Sequence, residues 1–225
     1  MIELLREAKV PEFLNFCNGS INGAVIYTRL KAYGINSSDA LFWFSENEDK
    51  KINGVYSMAD GVFTYHADST ADEEEIMMFS AVMGAREITK KGTFTLTYGG
   101  NAETGTAEDI TGENVRKIFP VIFEDDISRD SYFSFWYTDI SHKIRHSLIH
   151  GKAVFIDGEC VSAALTSGES EDTAVISSVA TLKKYRRLGH GKNAVLSLAG
   201  ELNKKVCLMT DSEATARWYI KMGFK

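Results

Sequence analysis

The sequence predicts an α/β fold of mixed, largely antiparallel sheets flanked by helices. Three observations lead there. From Val175 to Leu198 an apolar β-branched run is followed by a basic turn with two glycines, then by Ala194, Val195, Leu198 and Ala199 at helical spacing. Asp60-Gly61 and Asp157-Gly158 each separate two apolar runs, as tight antiparallel hairpins require. The order strand, strand, strand, helix, strand, strand in the first hundred residues echoes that of the C-terminal half.

At 225 residues the chain is long enough for one large domain or two small ones, and either can bury a full core. The net charge is −6, and no long basic run occurs outside Lys183 to Lys192, so nucleic acid is not an expected partner. No apolar stretch approaches bilayer length and the start has no signal-peptide core, so no membrane association is expected. Cys17, Cys160 and Cys207 are odd in number and far apart, which fits reduced thiols and a cytoplasmic location.

Taken in order, Pro11 opens a helical turn through Phe13, Leu14 and Phe16. Asn18-Gly19 and Asn22-Gly23 are turn signals, and Ala24 to Leu30 fits a strand or a helix. Leu41 to Phe44 is a buried strand that ends in the polar run from Ser45 to Lys51. Residues 54–58 and 62–66 pair around Asp60-Gly61. Asp72 and Glu73 to Glu75 give the next helix an acidic first turn, which complements its dipole, and Gly84 ends it. The methionines within it are read as core filling. Residues 86–91 and 93–98 read as two further strands.

Gly99 to Gly105 is the expected linker, dividing the chain into residues 1–103 and 104–225. A helix through Val115, Ile118 and Phe119 is perturbed at Pro120. A polar break over residues 124–130 and an aromatic lead-in over 133–137 precede a helix over 139–148. Residues 152–156 and 160–167 form the second Asp-Gly hairpin, and the acidic loop 168–172 returns to the central strand at Thr173.

The loop after that strand carries the chemistry. Glycines let backbone N–H groups crowd an anion, and a helix N-terminus adds about half a positive charge. Two arginines and three lysines surround it, so the expected ligand is polyanionic; a tight structural connection is the plain alternative. The loop lacks the Gly-Lys-Ser/Thr ending of the ATP loop and the third glycine of the dinucleotide fingerprint. Instead, Arg186-Arg187-Leu188-Gly189-His190-Gly191 resembles the acetyl-coenzyme A loop of the GNAT superfamily of N-acyltransferases, Arg/Gln-x-x-Gly-x-Gly/Ala after a strand. One helix and one strand later, Tyr219-Ile220-Lys221-Met222-Gly223-Phe224 resembles the family's Tyr-x-x-x-Gly-Phe helix end. The two motifs span Thr173 to Phe224, under a quarter of the chain.

The resemblance implies a GNAT fold in the C-terminal half and transfer of an acetyl group from acetyl-coenzyme A, as co-substrate, to a primary amine of a small molecule or peptide. Backbone N–H groups of Val179, Ala180 and Thr181 would hold the pantetheine and polarise the thioester. Residues Arg186, Arg187, Leu188, Gly189, His190, Gly191 and Lys192 would hold the pyrophosphate. Tyr219 would protonate the departing thiolate, an acid role that suits a pKa near 10. The first half would be a degenerate relative without a coenzyme A loop, because its residues 67–72 are acidic and lack the glycine motif.

Many family members carry a base glutamate on the central strand, but Val175 to Val179 holds no carboxylate. Glu169, Glu171 and Asp172 acting through water are alternatives. So are His142, His146 and His150, whose spacing puts them on one helix face. No cysteine or carboxylate completes a metal set there, so no metal is expected. The missing carboxylate leaves a non-catalytic coenzyme A-binding or regulatory module as the rival reading. The family has a further strand after Gly-Phe, whereas here Lys225 follows Phe224. Thr93 to Tyr98 is the expected cover for that sheet edge, and a partner subunit, as in a homodimer, is the second choice.

Overall fold

A computed structural model describes residues 1–89, 92–100 and 105–225. The chain forms two compact units, Met1–Lys91 with Gly168–Thr173, and Gly92–Ser167 with Ala174–Lys225. The fold is mixed α/β with largely antiparallel sheets. The expected boundary at 103/104 lies outside the described residues. The units divide earlier, before Gly92, because the strand that follows pairs into the second sheet.

The first unit runs β1 (Ile2–Leu4), α1 (Val10–Phe16), α2 (Ile21–Tyr33), β2 (Ala40–Glu46), β3 (Ile52–Ala59), β4 (Val62–Ala67), α3 (Glu73–Val82) and β5 (Glu87–Ile88). The strands lie in sequence order in one sheet, antiparallel except for the parallel β4–β5 pair. Alternation along β2 explains the layers. Phe42 and Phe44 point into a cluster with Phe13, Ile26 and Leu30 of α1 and α2, while Trp43 packs with Tyr56, Phe63 and Ile76 of the α3 side. Residues 24–30 are therefore helical. Tertiary burial of Ile26 and Leu30 decides what periodicity left open. Met77 and Met83 pack on the core, but Met78 is 70% exposed.

The second unit runs β6 (Phe94–Thr97), β7 (Glu108–Asp109), α4 (Val115–Ile122), α5 (Arg129–Arg145), β8 (Gly151–Ile156), β9 (Glu159–Glu169), β10 (Thr173–Ile176), β11 (Ala180–Thr181), α6 (His190–Glu201), β12 (Lys205–Thr210) and α7 (Glu213–Ile220), with residues 168–173, at the end of β9 and the start of β10, counted in the first. Its sheet has the order β6-β12-β10-β9-β8-β7, with β11 paired to β9. From β7 to β12 the element order repeats that of β1 to β5, with the short β11 added after β10. Helices α4 and α5 cover a core of Ile118, Val121, Ala153 and Leu165, and α6 and α7 belong to another with Ile176, Leu208 and Phe224.

Both Asp-Gly pairs close two-residue turns with positive φ at each position, 45° and 72° at Asp60-Gly61 and 51° and 79° at Asp157-Gly158. These turns match the twist of the flanking strands. Two expectations need correction. The aromatic run 133–137 is not a lead-in but part of α5, because Trp136, Tyr137 and Ile140 pack on the core at helical spacing. The same helix ends at Arg145 and Ser147 turns left-handed (φ 53°), so His150 leaves the face shared by His142 and His146.

Candidate active site

The central strand is interrupted where the site begins. β10 ends at Ile176, residues 177–179 leave the strand, and Ala180-Thr181 resumes as β11 against Ala163 and Ser162 of β9. The Ser162 hydroxyl fixes this segment, bonding the Ala180 carbonyl at 2.8 Å and the Thr181 hydroxyl at 2.8 Å. A 3-10 turn over Lys183–Tyr185 follows, then the glycine loop, then α6. Gly189 is the N-cap at φ 90°, a left-handed conformation that favours glycine, and it offers no capping side chain. The N–H groups of His190, Gly191 and Lys192 precede the first intrahelical bond, from Asn193 N–H to the Gly189 carbonyl at 2.9 Å.

These segments surround a cavity of about 640 Å³. Of the residues expected to bind the co-substrate, Val179, Ala180, Thr181, Arg186, Arg187, Gly189, His190, Gly191 and Lys192 line it, as does Tyr219. Leu188 does not line it and is 65% exposed. Gly191 is hemmed in. A Cβ there would stand 3.0 Å from the Thr181 hydroxyl and 3.6 Å from the Trp218 ring. The start of α6 has no side-chain cap and its residues 189–192 line the cavity, as close approach of a polyanion to helix N–H groups requires. The first unit differs at the corresponding place. At the N-terminus of α3 the Asp72 carboxylate already accepts from the N–H groups of Glu74 (2.9 Å) and Glu75 (3.2 Å).

Tyr219 is 6% exposed, packed edge-on against Trp218 and Phe224, and burial pushes its hydroxyl pKa up to about 12. It therefore holds its proton throughout the neutral range. Glu169, Glu171 and Asp172 do not line the cavity. They belong to the first unit, where Asp172 accepts from Gly19 N–H at 2.9 Å and Glu171 N–H donates to Asn18. His142, His146 and His150 do not line it either. Cys17, Cys160 and Cys207 are all buried.

Sequence reasoning missed the wall contributed by the end of α4 and the residues after it. Val121, Ile122, Glu124 and Asp125 line the cavity, and Glu124 and Asp125 are its carboxylates. Their sequence signal is only a short acidic run. Their partners, Lys183 and Arg186, lie about sixty residues further along the chain.

The interrupted central strand, the glycine loop and the repeated element order define the acyl-coenzyme A N-acyltransferase type of fold. The acetyltransferase (GNAT) family profile matches residues 113–224, and this part of the chain belongs to that family. Among solved structures, a Drosophila protein aligns over 100% of this chain and 94% of its own at 10% identity, with TM-score 0.67. A tandem GNAT protein from the clavulanic acid biosynthesis pathway aligns over 100% and 95% at 10% identity, with TM-score 0.57. The match to a GNAT-family protein from Novosphingobium aromaticivorans covers 58% of this chain and 57% of that one at 14% identity, with TM-score 0.46. A comparison with curated proteins gives no match. Among the described residues, no helix is long and apolar enough to cross a membrane.

Proposed function

We propose that the protein is an acetyl-coenzyme A-dependent N-acetyltransferase, acting in the cytoplasm on a primary amine of a small molecule or peptide. The observation that carries this reading is the convergence of the interrupted strand, the open N-terminus of α6 and the protonated Tyr219 on one cavity. Bound acetyl-coenzyme A supplies an activated acetyl thioester, whose C–S bond breaks as the amine forms the C–N bond. In this reading, N–H groups of residues 179–181 orient the pantetheine and polarise the carbonyl. The N–H groups of residues 189–192 and the nearby cations receive the pyrophosphate. Tyr219 gives its proton to the departing sulfur. The amine's own proton leaves to water, because the cavity's carboxylates, Glu124 and Asp125, are engaged by Lys183 and Arg186.

That engagement also favours a second reading, a non-catalytic coenzyme A-binding module. Thiol release from acetyl-coenzyme A across an amine panel, beside calorimetric binding, separates the two. Binding without release on any amine would leave only the module, and no binding would sink both.

A further inference from the structure

Five cations flank the loop, and they are not equivalent. Lys184 is paired to Glu159 at 2.9 Å and Lys183 to Asp125. Arg186 turns back onto the protein: its Nε donates to the Thr181 carbonyl at 2.9 Å, and its Nη2 lies 3.5 Å from Glu124 and 3.9 Å from Asp125. Glu124 also accepts the Lys183 backbone N–H on both oxygens, at 2.9 and 3.2 Å. One carboxylate thus holds the loop at its 3-10 turn and at its first arginine. Among the described residues, Arg187 and Lys192 have no carboxylate partner, and both line the cavity.

Both free cations stand where local physics disfavours them. Arg187 has φ 65°, the left-handed region that side-chain-bearing residues avoid. Lys192 is the third residue of α6, where a cation faces the positive end of the helix dipole. A polyanion in the cavity would relieve the second cost by neutralising charge at the helix N-terminus.

Building on the reading of the site as an acyl-coenzyme A cradle, we infer a division of labour. Glu124 is a positioning residue that commits Arg186 and the Lys183 N–H to the scaffold, and the ligand's phosphates are met by Arg187 and Lys192. Glu124 reaches the loop from the connection between α4 and α5, so a segment outside the glycine motif sets the motif's shape.

The test uses the full chain in two arms. Without ligand, amide hydrogen exchange at Lys183 should speed up at least about tenfold in Glu124→Ala, where the acceptor is lost. It should stay near wild type in Glu124→Gln, which keeps an acceptor oxygen. In calorimetry with acetyl-coenzyme A at low and moderate salt, Arg187→Gln and Lys192→Gln should each weaken binding by about tenfold and flatten its salt dependence. Arg186→Gln should weaken it by less than about threefold and keep the salt dependence. Unchanged Lys183 exchange in Glu124→Ala overturns the positioning role. A large, salt-sensitive loss in Arg186→Gln with little effect in the other two overturns the division. If wild type takes up no acetyl-coenzyme A while the exchange arm behaves as expected, the cradle reading and the phosphate roles both fall, and the hold of Glu124 on the loop stands.

Discussion

Tyr98 and Phe224 face each other across an antiparallel bridge, their rings 5.2 Å apart. The bridge lies on the edge of β6 away from β12; on its other edge β6 pairs with β12, with Thr97 opposing Cys207 and Phe94 opposing Thr210. Thr97 and Lys225 exchange backbone bonds at 2.8 Å in both directions. The outer edge of β12 is thus covered by the segment that precedes it by more than a hundred residues.

This coupling should be costly to break. Phe224 is 1% exposed, and Phe224→Ala should lose about 3–5 kcal/mol in urea unfolding. Leu96→Ala, on the opposing strand, should lose about 2–5 kcal/mol. Losses below about 1 kcal/mol in both variants would mean that β6 is only loosely attached.

Tyr219→Phe keeps the ring packing and removes the proton. In the proposed reaction turnover should fall by about two to four orders of magnitude, with acetyl-coenzyme A affinity nearly unchanged. Normal turnover in steady-state kinetics would remove Tyr219 from the acid role.

Alkaline stability gives a test that needs no ligand. Tyr219 and Tyr56 are both pushed up to about 12 by burial, against about 10 in the unfolded chain. Between those values the folded state binds more protons than the unfolded state. Their contribution is therefore complete below about pH 10 and is lost as pH rises through about 12, by up to about 1.4 kcal/mol per pH unit for each tyrosine. Urea unfolding at a series of pH values should show this slope, and Tyr219→Phe should reduce it. An identical slope in the variant would contradict the burial argument.

Gly191 should tolerate no side chain. The Thr181 hydroxyl 3.0 Å from a Cβ there is tied to Ser162 and cannot readily give way, so Gly191→Ala should cost about 1–3 kcal/mol. Gly191→Glu adds a like charge at the proposed pyrophosphate site and should weaken acetyl-coenzyme A binding by more than about tenfold in calorimetry. Full affinity in that variant would move the phosphates elsewhere.

Stoichiometry should be one acetyl-coenzyme A per chain, because Asp72 fills the helix N-terminus of the first unit. Asp72→Ala should lose about 0.5–2 kcal/mol without adding a second site. A stoichiometry of two in wild type would reverse this expectation.

Much of the site was legible because its determinants are neighbours in sequence. Gly189 and Gly191 permit the loop, the stripe from Ala194 to Ala199 forms the helix behind it, and Tyr219 lies at helical register on the next helix but one strand away. The break at residues 177–179 was not legible, because Val175 to Thr181 reads as one continuous β-branched run. Only the pairing of β11 with β9, anchored by Ser162, shows where the strand leaves its ladder. Glu124 was equally hidden. A carboxylate in a polar connection has no local feature to distinguish it until its partner at Lys183 is known.

The sequence by itself determined the two Asp-Gly hairpins, the acidic closure of α3, the open glycine entrance to α6 and the absence of a carboxylate on the central strand. Each depends on backbone preference or charge within a few residues. Tertiary structure decided that residues 24–30 and 133–137 are helical, that β6, the expected cover of the sheet edge, joins the second unit through its pairing with β12, and that Glu124 shapes the loop. Those outcomes depend on which apolar faces find a partner and which distant groups become neighbours. Thr97 and Cys207 are 110 residues apart and Glu124 and Lys183 are 59 apart, so their contacts are set by burial and pairing across the fold rather than by local preference.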